Sequence, residues 1–244
     1  MIYEIAGLRI RIDNKHEYTN AFCKEYLSLD QVSPVDIVAS VTAADLEEER
    51  KASPQFSEGY IENICLYRSI CMQIPNFNRM LMHCAVLEYD GKGYAFLGKS
   101  GTGKSTHTKL WKRYLQTPSM INGDKPILES VENGFIAYGT PWKGKEGWGK
   151  KAAAPLCGLC FLEQAKENSI RRLTPSEVSA RLFLQLLMPQ EEKEAIATLD
   201  LADKLIAQTP AYLLRCNISE EAVRLSFEAL TGLNYTNRGT IDED

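Results

Sequence analysis

Apolar residues in the first third of the chain recur at the spacings of strands and helices. The pattern predicts a strand over residues 2–12, a second strand over 35–42 and a helix over 60–71. Residues 1–80 contain no recognisable chemical motif. We therefore expect them to form an N-terminal α/β lobe that serves in packing or in binding a partner.

The middle of the chain carries the strongest hairpin signal. Predicted strands over 82–89 and 92–97 flank Asp90-Gly91, a loop that joins antiparallel strands because both of its positions tolerate positive φ. With this loop the numbers of paired residues sum to 181, so His83 is expected to lie opposite Gly98.

Helical spacing dominates after Leu162. Thr174-Pro175-Ser176-Glu177 is a capping box with proline at the first helical position. It opens a predicted helix whose apolar face consists of Val178, Leu182, Phe183, Leu186 and Leu187. A helix over 191–208, a strand over 211–216 and a helix starting at Ser219 are predicted to follow.

One segment matches the phosphate-binding pattern G-x-x-x-x-G-K-[ST]. It follows a predicted strand over 94–97 and precedes a predicted helix over 106–115, which is the context that such a loop requires. Its glycines let backbone N–H groups converge on phosphate oxygens, Lys104 adds a positive charge, and Ser105 offers a hydroxyl to Mg²⁺. The predicted nucleotide-binding residues are Gly98, Lys99, Ser100, Gly101, Thr102, Gly103, Lys104, Ser105 and Thr106.

Around this loop the chain resembles the catalytic domain of the HPr kinase/phosphorylase family, in particular its small bacterial relatives with the phosphoenolpyruvate carboxykinase-like fold. The resemblance lies within residues 81–163 and rests on Leu81-Met82-His83-Cys84, the Asp-Gly hairpin, the phosphate loop and Asn122-Gly123-Asp124. It implies an α/β fold in which a mixed sheet carries the phosphate loop and helices flank it. Residues 81–244 would then form the catalytic region, as one compact unit.

The resemblance also implies cofactors and roles. ATP and Mg²⁺ are the expected cofactors, with catalytic roles for His83, Lys104 and Asp124 and metal binding by Ser105 and Asp124. The chain departs from the family at Thr106, where the kinases have Glu, and at Gly123-Asp124, where they have an Asp-Asp pair. One acid must then serve both as metal ligand and as base. The glycine-rich stretch that marks phosphorylase activity is not matched.

The expected reaction transfers the γ-phosphoryl group of ATP to a hydroxyl, on Ser or Thr of a peptide or protein or on a small metabolite. The alternative is a nucleotide-binding regulator or slow P-loop NTPase without kinase activity. In that case Glu163, at the end of an apolar strand, would be the metal-binding acid. Pyrophosphate as the donor is a third option.

Residues 139–151 combine four glycines, four lysines and two tryptophans. Such a segment suits a mobile loop that closes over the donor phosphates or the acceptor, with Lys143 and Lys145 as the phosphate- or substrate-binding candidates because they flank Gly144. The other interpretation is a surface turn whose tryptophans are fixed to the core. The sequence leaves both open.

Composition narrows the class of protein. With 28 basic and 32 acidic residues among 244, the net charge is −4, which argues against a nucleic-acid binder. No apolar run is long enough to span a membrane and no export signal is evident, so we expect a cytoplasmic protein without membrane contact. Seven scattered cysteines fit reduced thiols. We interpret Cys157 and Cys160 as facing opposite sides of a buried strand, and His107 as a packing residue.

Overall fold

The computed structural model describes residues 1–236, and within them strands form a three-stranded and a nine-stranded sheet. The small sheet contains β1 (Ile2–Ile5), β2 (Leu8–Ile12) and β3 (Ile37–Ala39), with β2 in the centre. It is accompanied by α1 (Glu17–Phe22), α2 (Ala43–Ala52) and α3 (Glu58–Gln73). The residues 237–244 of the predicted catalytic region lie outside the described part.

The prediction of one strand over residues 2–12 is wrong. Ala6 and Gly7 take positive φ values of 52° and 74°, which turns the chain into an antiparallel hairpin that pairs Ile5 with Leu8. Apolar residues alternate on both sides of the turn, so the pattern looks continuous. An Ala-Gly pair lacks the Asn or Asp that marks such turns in a sequence.

The large sheet is mixed and curled. Its strands are β4 (Arg79–Leu81), β5 (Cys84–Tyr89), β6 (Lys92–Leu97), β7 (Ser119–Asn122), β8 (Ile127–Val131), β9 (Gly134–Tyr138), β10 (Ala153–Gln164), β11 (Ser169–Arg172) and β12 (Ala211–Cys216). The order is β4-β8-β9-β10-β6-β5-β7, and β12 pairs with β10 and β11. The long β10 is parallel to both β6 and β12 and antiparallel to β9.

The hairpin of β5 and β6 has the predicted register. Tyr89 pairs with Lys92 and Cys84 with Leu97, while Asp90 and Gly91 both have positive φ. The ladder ends at Cys84, and the backbone N–H of His83 instead donates to the carbonyl of Gln185 at 2.7 Å. The strand predicted to begin at residue 82 is therefore shorter, because His83 leaves the sheet next to the phosphate loop.

Helices cover the large sheet on both faces, so the fold is α/β with a mixed sheet and flanking helices. They are α4 (Lys104–Tyr114), α5 (Pro175–Leu182), α6 (Glu192–Gln208) and α7 (Glu220–Thr231). The capping box at Thr174 is confirmed, since Thr174 and Glu177 cap each other. The predicted apolar face is too long, because α5 ends at Leu182 and Phe183 is exposed.

Three apolar clusters hold these layers together. One lies between the large sheet and α5 and α6, and a second joins the opposite face to α4 and α7, with Trp111 fully buried. The third surrounds the small sheet and α3, and it also contains Leu81, Ile127 and Trp142. The residues before 80 thus share a core with the segments that carry the candidate site.

Cys157 and Cys160 do not face opposite sides of β10 as predicted. The pairing of β10 with β6 shifts between Leu156 and Gly158, so Cys157 is the extra residue of a bulge, and both cysteines contact the same apolar cluster. Both thiols are free, and residues 1–236 contain no group of His, Cys, Asp and Glu suited to hold a metal on their own. The same residues contain no helix of the length and hydrophobicity that crossing a bilayer takes.

Candidate functional site

The predicted phosphate loop connects β6 to α4. Gly101 and Gly103 have φ values of 81° and 108°, which side chains with a Cβ rarely adopt, and Gly103 is the N-cap of α4. Thr102 closes the turn by donating from its backbone N–H and from Oγ1 to the carbonyl of Lys99. The loop therefore presents its backbone at the start of a helix, where N–H groups lack partners.

Lys104 folds back over its own loop. Its Nζ donates to the carbonyl of Gly98 at 2.7 Å, and the residue is buried. Burial lowers the pKa of Lys104, while the negative charge of Asp124 opposes that shift. The ammonium group is thus hydrogen-bonded to the loop and is close enough to Asp124 for the two charges to interact.

Asp124 stands in a turn fixed by two buried polar residues. The side-chain Oδ1 of Asn122 accepts from the backbone N–H groups of Asp124 and Lys125 at 2.9 and 2.7 Å. The Asn122 amide donates to Thr140, whose hydroxyl donates to the Lys125 carbonyl. Because Asn122 and Thr140 are both fully buried, this network gives the turn one conformation.

His83 and Asp124 meet directly. Nε2 of His83 lies 3.0 Å from Oδ1 of Asp124, and Nζ of Lys125 lies 4.0 Å from Oδ2. Burial by itself raises the pKa of Asp124, but the His83 hydrogen bond and the charges of Lys125, His83 and Lys104 outweigh it and lower the pKa. Asp124 is therefore a carboxylate at neutral pH, held between cationic groups.

A cleft of about 640 Å³ lies beside the phosphate loop. Its walls are residues 98–102, the end of β10, and Arg181, Leu184 and Gln185 from the α5 region. Glu163 lines the cleft but pairs with Arg181 at 3.4 Å and is about half exposed. Glu163, the alternative metal ligand predicted from the sequence, is thus already paired with a cation.

The tryptophans of the 139–151 segment are both anchored. Trp142 is buried, donates to Asn63 at 3.1 Å and packs on Tyr67. Trp148 lies under Nζ of Lys109, 4.6 Å from the ring centroid, and its carbonyl accepts from the backbone N–H of Gly123. The segment thus covers the Gly123-Asp124 turn from one side.

The two candidate lysines of this segment have different surroundings. Lys143 forms an ion pair with Glu25. Lys145 is exposed, and its side chain has no bonding partner among residues 1–236. Their binding of phosphate or substrate stays a prediction.

A family model described as SynChlorMet cassette protein ScmC matches residues 60–222. The chain belongs to the ScmC family. The matched span contains every candidate site residue named above. No curated protein matches the chain.

Among solved structures, the HPr(Ser) kinase/phosphatase from Coxiella burnetii is similar to this ScmC-family chain at 12% sequence identity and a TM-score of 0.26. The match covers 52% of this chain and 88% of that one. The family that the sequence comparison identifies is thus ScmC, and the likeness to HPr kinases is a weak one at the level of the fold.

Two glutamines of this ScmC-family protein support the loop and were not predicted. Gln185 is buried, and with its amide nitrogen turned inward it lies 3.0 Å from the His83 carbonyl and 3.3 Å from the Gly98 carbonyl. Gln164 donates to the carbonyls of Gly101 and Thr102. The available signal for Gln185 is its position as a single polar residue within the apolar run 183–187.

The remaining predicted residues lie in the phosphate loop and on α4. Ser105 and Thr106 lie in the first turn of α4 and are half-buried, whereas Lys99 and Ser100 are exposed at the tip of the loop. His107 faces away from the site, where Nε2 contacts the hydroxyl of Ser226 at 3.0 Å. Burial lowers the pKa of His107 to about 4, so it packs as a neutral ring.

Proposed function

We propose that this ScmC-family protein is an Mg²⁺- and ATP-dependent phosphotransferase that transfers the γ-phosphoryl group to a hydroxyl. The observation that carries the proposal is that Lys104 is hydrogen-bonded to the phosphate loop and interacts electrostatically with Asp124, which is itself paired with His83. Phosphoryl transfer needs little covalent help from a protein, since positioning and charge neutralisation dominate. The phosphate loop and α4 would position the phosphates, and Lys104 would neutralise part of their charge.

The chain's own residues divide the work as follows. The loop N–H groups and Lys104 bind the phosphates, and Ser105 and Asp124 hold the metal ion. Mg²⁺ supplies charge neutralisation at the transferred phosphoryl group. Asp124 accepts the proton of the acceptor hydroxyl as its oxygen bonds to the γ-phosphorus and ADP leaves, and His83 orients the Asp124 carboxylate.

The donor set suits magnesium. Mg²⁺ is commonly held by one or two carboxylates together with substrate phosphates and water rather than by an all-protein cage. A single ionised Asp124, with its pKa lowered by its cationic neighbours, matches that requirement.

The reaction is tested by incubating the protein with γ-labelled ATP, Mg²⁺ and cell extract separated into proteins, peptides and metabolites. Label in one fraction identifies the acceptor class. We expect Lys104→Ala and Asp124→Asn each to reduce transfer on the order of a thousandfold, because each removes a charge that acts on the transferred group. Lys204→Ala and Asp203→Asn, on the exposed face of α6, are the matched controls and should keep full transfer.

A slow NTPase or nucleotide-binding regulator is the second candidate. It is favoured by the single acid at the turn and by Glu163 at the edge of the cleft. Free phosphate as the sole labelled product, with Mg²⁺-dependent turnover surviving in Asp124→Asn, would assign the metal to Glu163 and contradict the kinase proposal. Transfer from labelled pyrophosphate without any nucleoside would identify pyrophosphate as the donor.

A further inference from the structure

Six aromatic rings form a continuous row that leads from the surface of the N-terminal lobe towards Asp124. Successive ring centroids are 4.3, 5.8, 5.9, 6.4 and 4.6 Å apart. We call this set the aromatic row, and its members in spatial order are Phe56, Tyr60, Tyr18, Phe22, Trp142 and Tyr67. None of them has a role in the phosphate site described above.

The outer part of the aromatic row is exposed. Phe56, Tyr18 and Phe22 keep 42%, 38% and 37% of their surface accessible. Single exposed apolar side chains are ordinary, but several large rings in contact with one another form a patch of the kind that binds partners. The row is therefore a candidate interaction surface.

The inner part of the aromatic row reaches the candidate catalytic acid. Trp142 and Tyr67 are buried, and Nζ of Lys125 lies 4.9 Å from the Tyr67 ring centroid and 4.0 Å from Oδ2 of Asp124. The aromatic row thus leads, through Lys125, to the turn that carries Asp124. This continuity with the reacting carboxylate indicates what the surface binds.

An open cavity of about 350 Å³ borders the inner end of the exposed part. Phe22, Lys24, Glu25, Lys143 and Gly144 are among its walls. Gly144 touches Asp124, since a Cβ built on it would lie 2.8 Å from the Asp124 Cβ. The cavity therefore connects the ring of Phe22 with the backbone that covers the acid.

Glu17 beside Tyr18 is exposed and has no cationic partner within residues 1–236, but the unpaired charge at the cavity that borders the aromatic row is positive. Two acidic side chains along it are already paired, Glu58 with Arg50 and Glu25 with Lys143. The side chains of Lys24 and Lys145 have no bonding partner within the described residues 1–236. A ligand with a carboxylate near its reacting hydroxyl complements this arrangement.

We propose that the aromatic row is the docking surface for the phosphate acceptor, and that this acceptor is an extended polypeptide segment. Its apolar side chains lie on Phe56, Tyr18 and Phe22, and an acidic residue beside its hydroxyl pairs with Lys24. The exposed rings extend over roughly five residues of an extended chain, at about 3.3 Å per residue. A small metabolite would fill only the cavity and leave the outer rings bare.

This inference rests on the proposed function for the transfer step, so binding and transfer are measured separately. The probes are fluorescently labelled twelve-residue peptides with one serine, one adjacent aspartate and three leucines placed on either side of the serine. Versions with the leucines replaced by asparagine are the matched controls. Fluorescence anisotropy without ATP gives the affinity, and label from γ-labelled ATP gives the transfer.

We expect the leucine peptides to bind, and the double variant Tyr18→Ser/Phe22→Ser to bind them at least about tenfold more weakly, because exposed aromatic anchors dominate such interfaces. Phe56→Ser, a single change in an exposed loop, should weaken binding in the same direction without endangering the fold. The control Leu29→Ser/Val32→Ser removes two fully exposed apolar side chains outside the aromatic row and should bind as the unaltered protein does.

Each other outcome has a distinct meaning. Equal peptide affinity in the row variants and the control overturns the docking proposal, as does transfer to a small metabolite that the row variants leave unchanged. A change of oligomeric state in the row variants, measured by sedimentation, would assign the surface to a second copy of the chain and also overturn it. Peptide binding by the aromatic row without any transfer supports the docking surface and contradicts the kinase function alone.

Discussion

The most direct test of the role of Asp124 uses two glycines of the same loop. Gly144 and Gly147 have φ values of 75° and 64°, so alanine is similarly strained at both. At Gly144 a Cβ would lie 2.8 Å from the Asp124 Cβ, whereas at Gly147 no atom of residues 1–236 other than its chain neighbours comes within 4 Å. Gly144→Ala perturbs the acid, and Gly147→Ala is the matched control.

The sizes of the two effects follow from this geometry. Alanine at positive φ costs about 1 kcal/mol, and this cost is common to both variants. The close contact at Gly144 adds an overpacking cost of about 1–3 kcal/mol to the free energy of unfolding that Gly144→Ala loses. Carbon atoms pack at about 3.5–4.0 Å, and the 2.8 Å contact at Gly144 therefore forces Asp124 or the loop to move by roughly 1 Å. A displacement of that size at a reacting group can reduce turnover on the order of a hundredfold.

The assay combines urea unfolding with steady-state phosphoryl transfer from γ-labelled ATP. We expect Gly147→Ala to lose about 1 kcal/mol of stability and Gly144→Ala to lose more. Turnover should fall on the order of a hundredfold in Gly144→Ala and stay within about twofold of the unaltered protein in Gly147→Ala. ATP affinity should change little in either, because the phosphate loop is untouched. Equal turnover of the two variants would refute the reasoning that Asp124 acts in the reaction.

Two further predictions concern buried polar groups. Burial lowers the pKa of His107 to about 4, so below pH 6.5 the unfolded chain binds a proton at this residue that the folded chain does not bind. The free energy of unfolding is therefore highest above pH 6.5 and decreases as the pH drops towards 4, by about 3 kcal/mol in total. Urea unfolding at pH 7 and pH 5 should show a smaller loss in His107→Gln, and an identical loss would contradict this. Gln185→Met removes the side-chain hydrogen bonds to the carbonyls of His83 and Gly98, of which the Gly98 carbonyl keeps Lys104 as a donor. We expect about 1–2 kcal/mol of destabilisation and weaker ATP binding in calorimetry, and unchanged ATP affinity would show that Gln185 does not order the loop.

Local rules account for the parts of the fold that the sequence predicts well. Asp90-Gly91 and the capping box at Thr174 each act over four residues or fewer, and the structure contains both. The order of strands in the large sheet has no such local signal, because β10 lies between β6 and β12 that come from distant parts of the chain. The same holds for Ala6-Gly7, whose turn is imposed by the pairing of β1 with β2.

The candidate site divides in the same way. The register of the hairpin is the predicted one as far as the pair of Cys84 and Leu97, since pairing numbers are fixed by the two-residue turn, and His83, predicted opposite Gly98, lies one residue beyond this ladder. What holds His83 there is Gln185, about a hundred residues later, through backbone and side-chain hydrogen bonds. Contacts between segments so far apart have no local sequence pattern, and the only indication of this one in the sequence is a polar residue within an apolar run.

The single acid of the turn and the tryptophan-bearing loop are one structural feature. A Cβ at Gly123 would lie 3.1 Å from the Lys143 carbonyl and 3.2 Å from the Trp148 carbonyl, and the Gly123 N–H donates to the latter. A side chain at this position would push away a loop that Trp148 fixes to α4. Backbone of the loop therefore occupies the space beside Gly123, and the neighbours of the Asp124 carboxylate are Nε2 of His83 at 3.0 Å and Nζ of Lys125 at 4.0 Å. The departure at Gly123 is therefore a consequence of how the loop covers the acid, and it leaves Asp124 as the only carboxylate of that turn in the described residues.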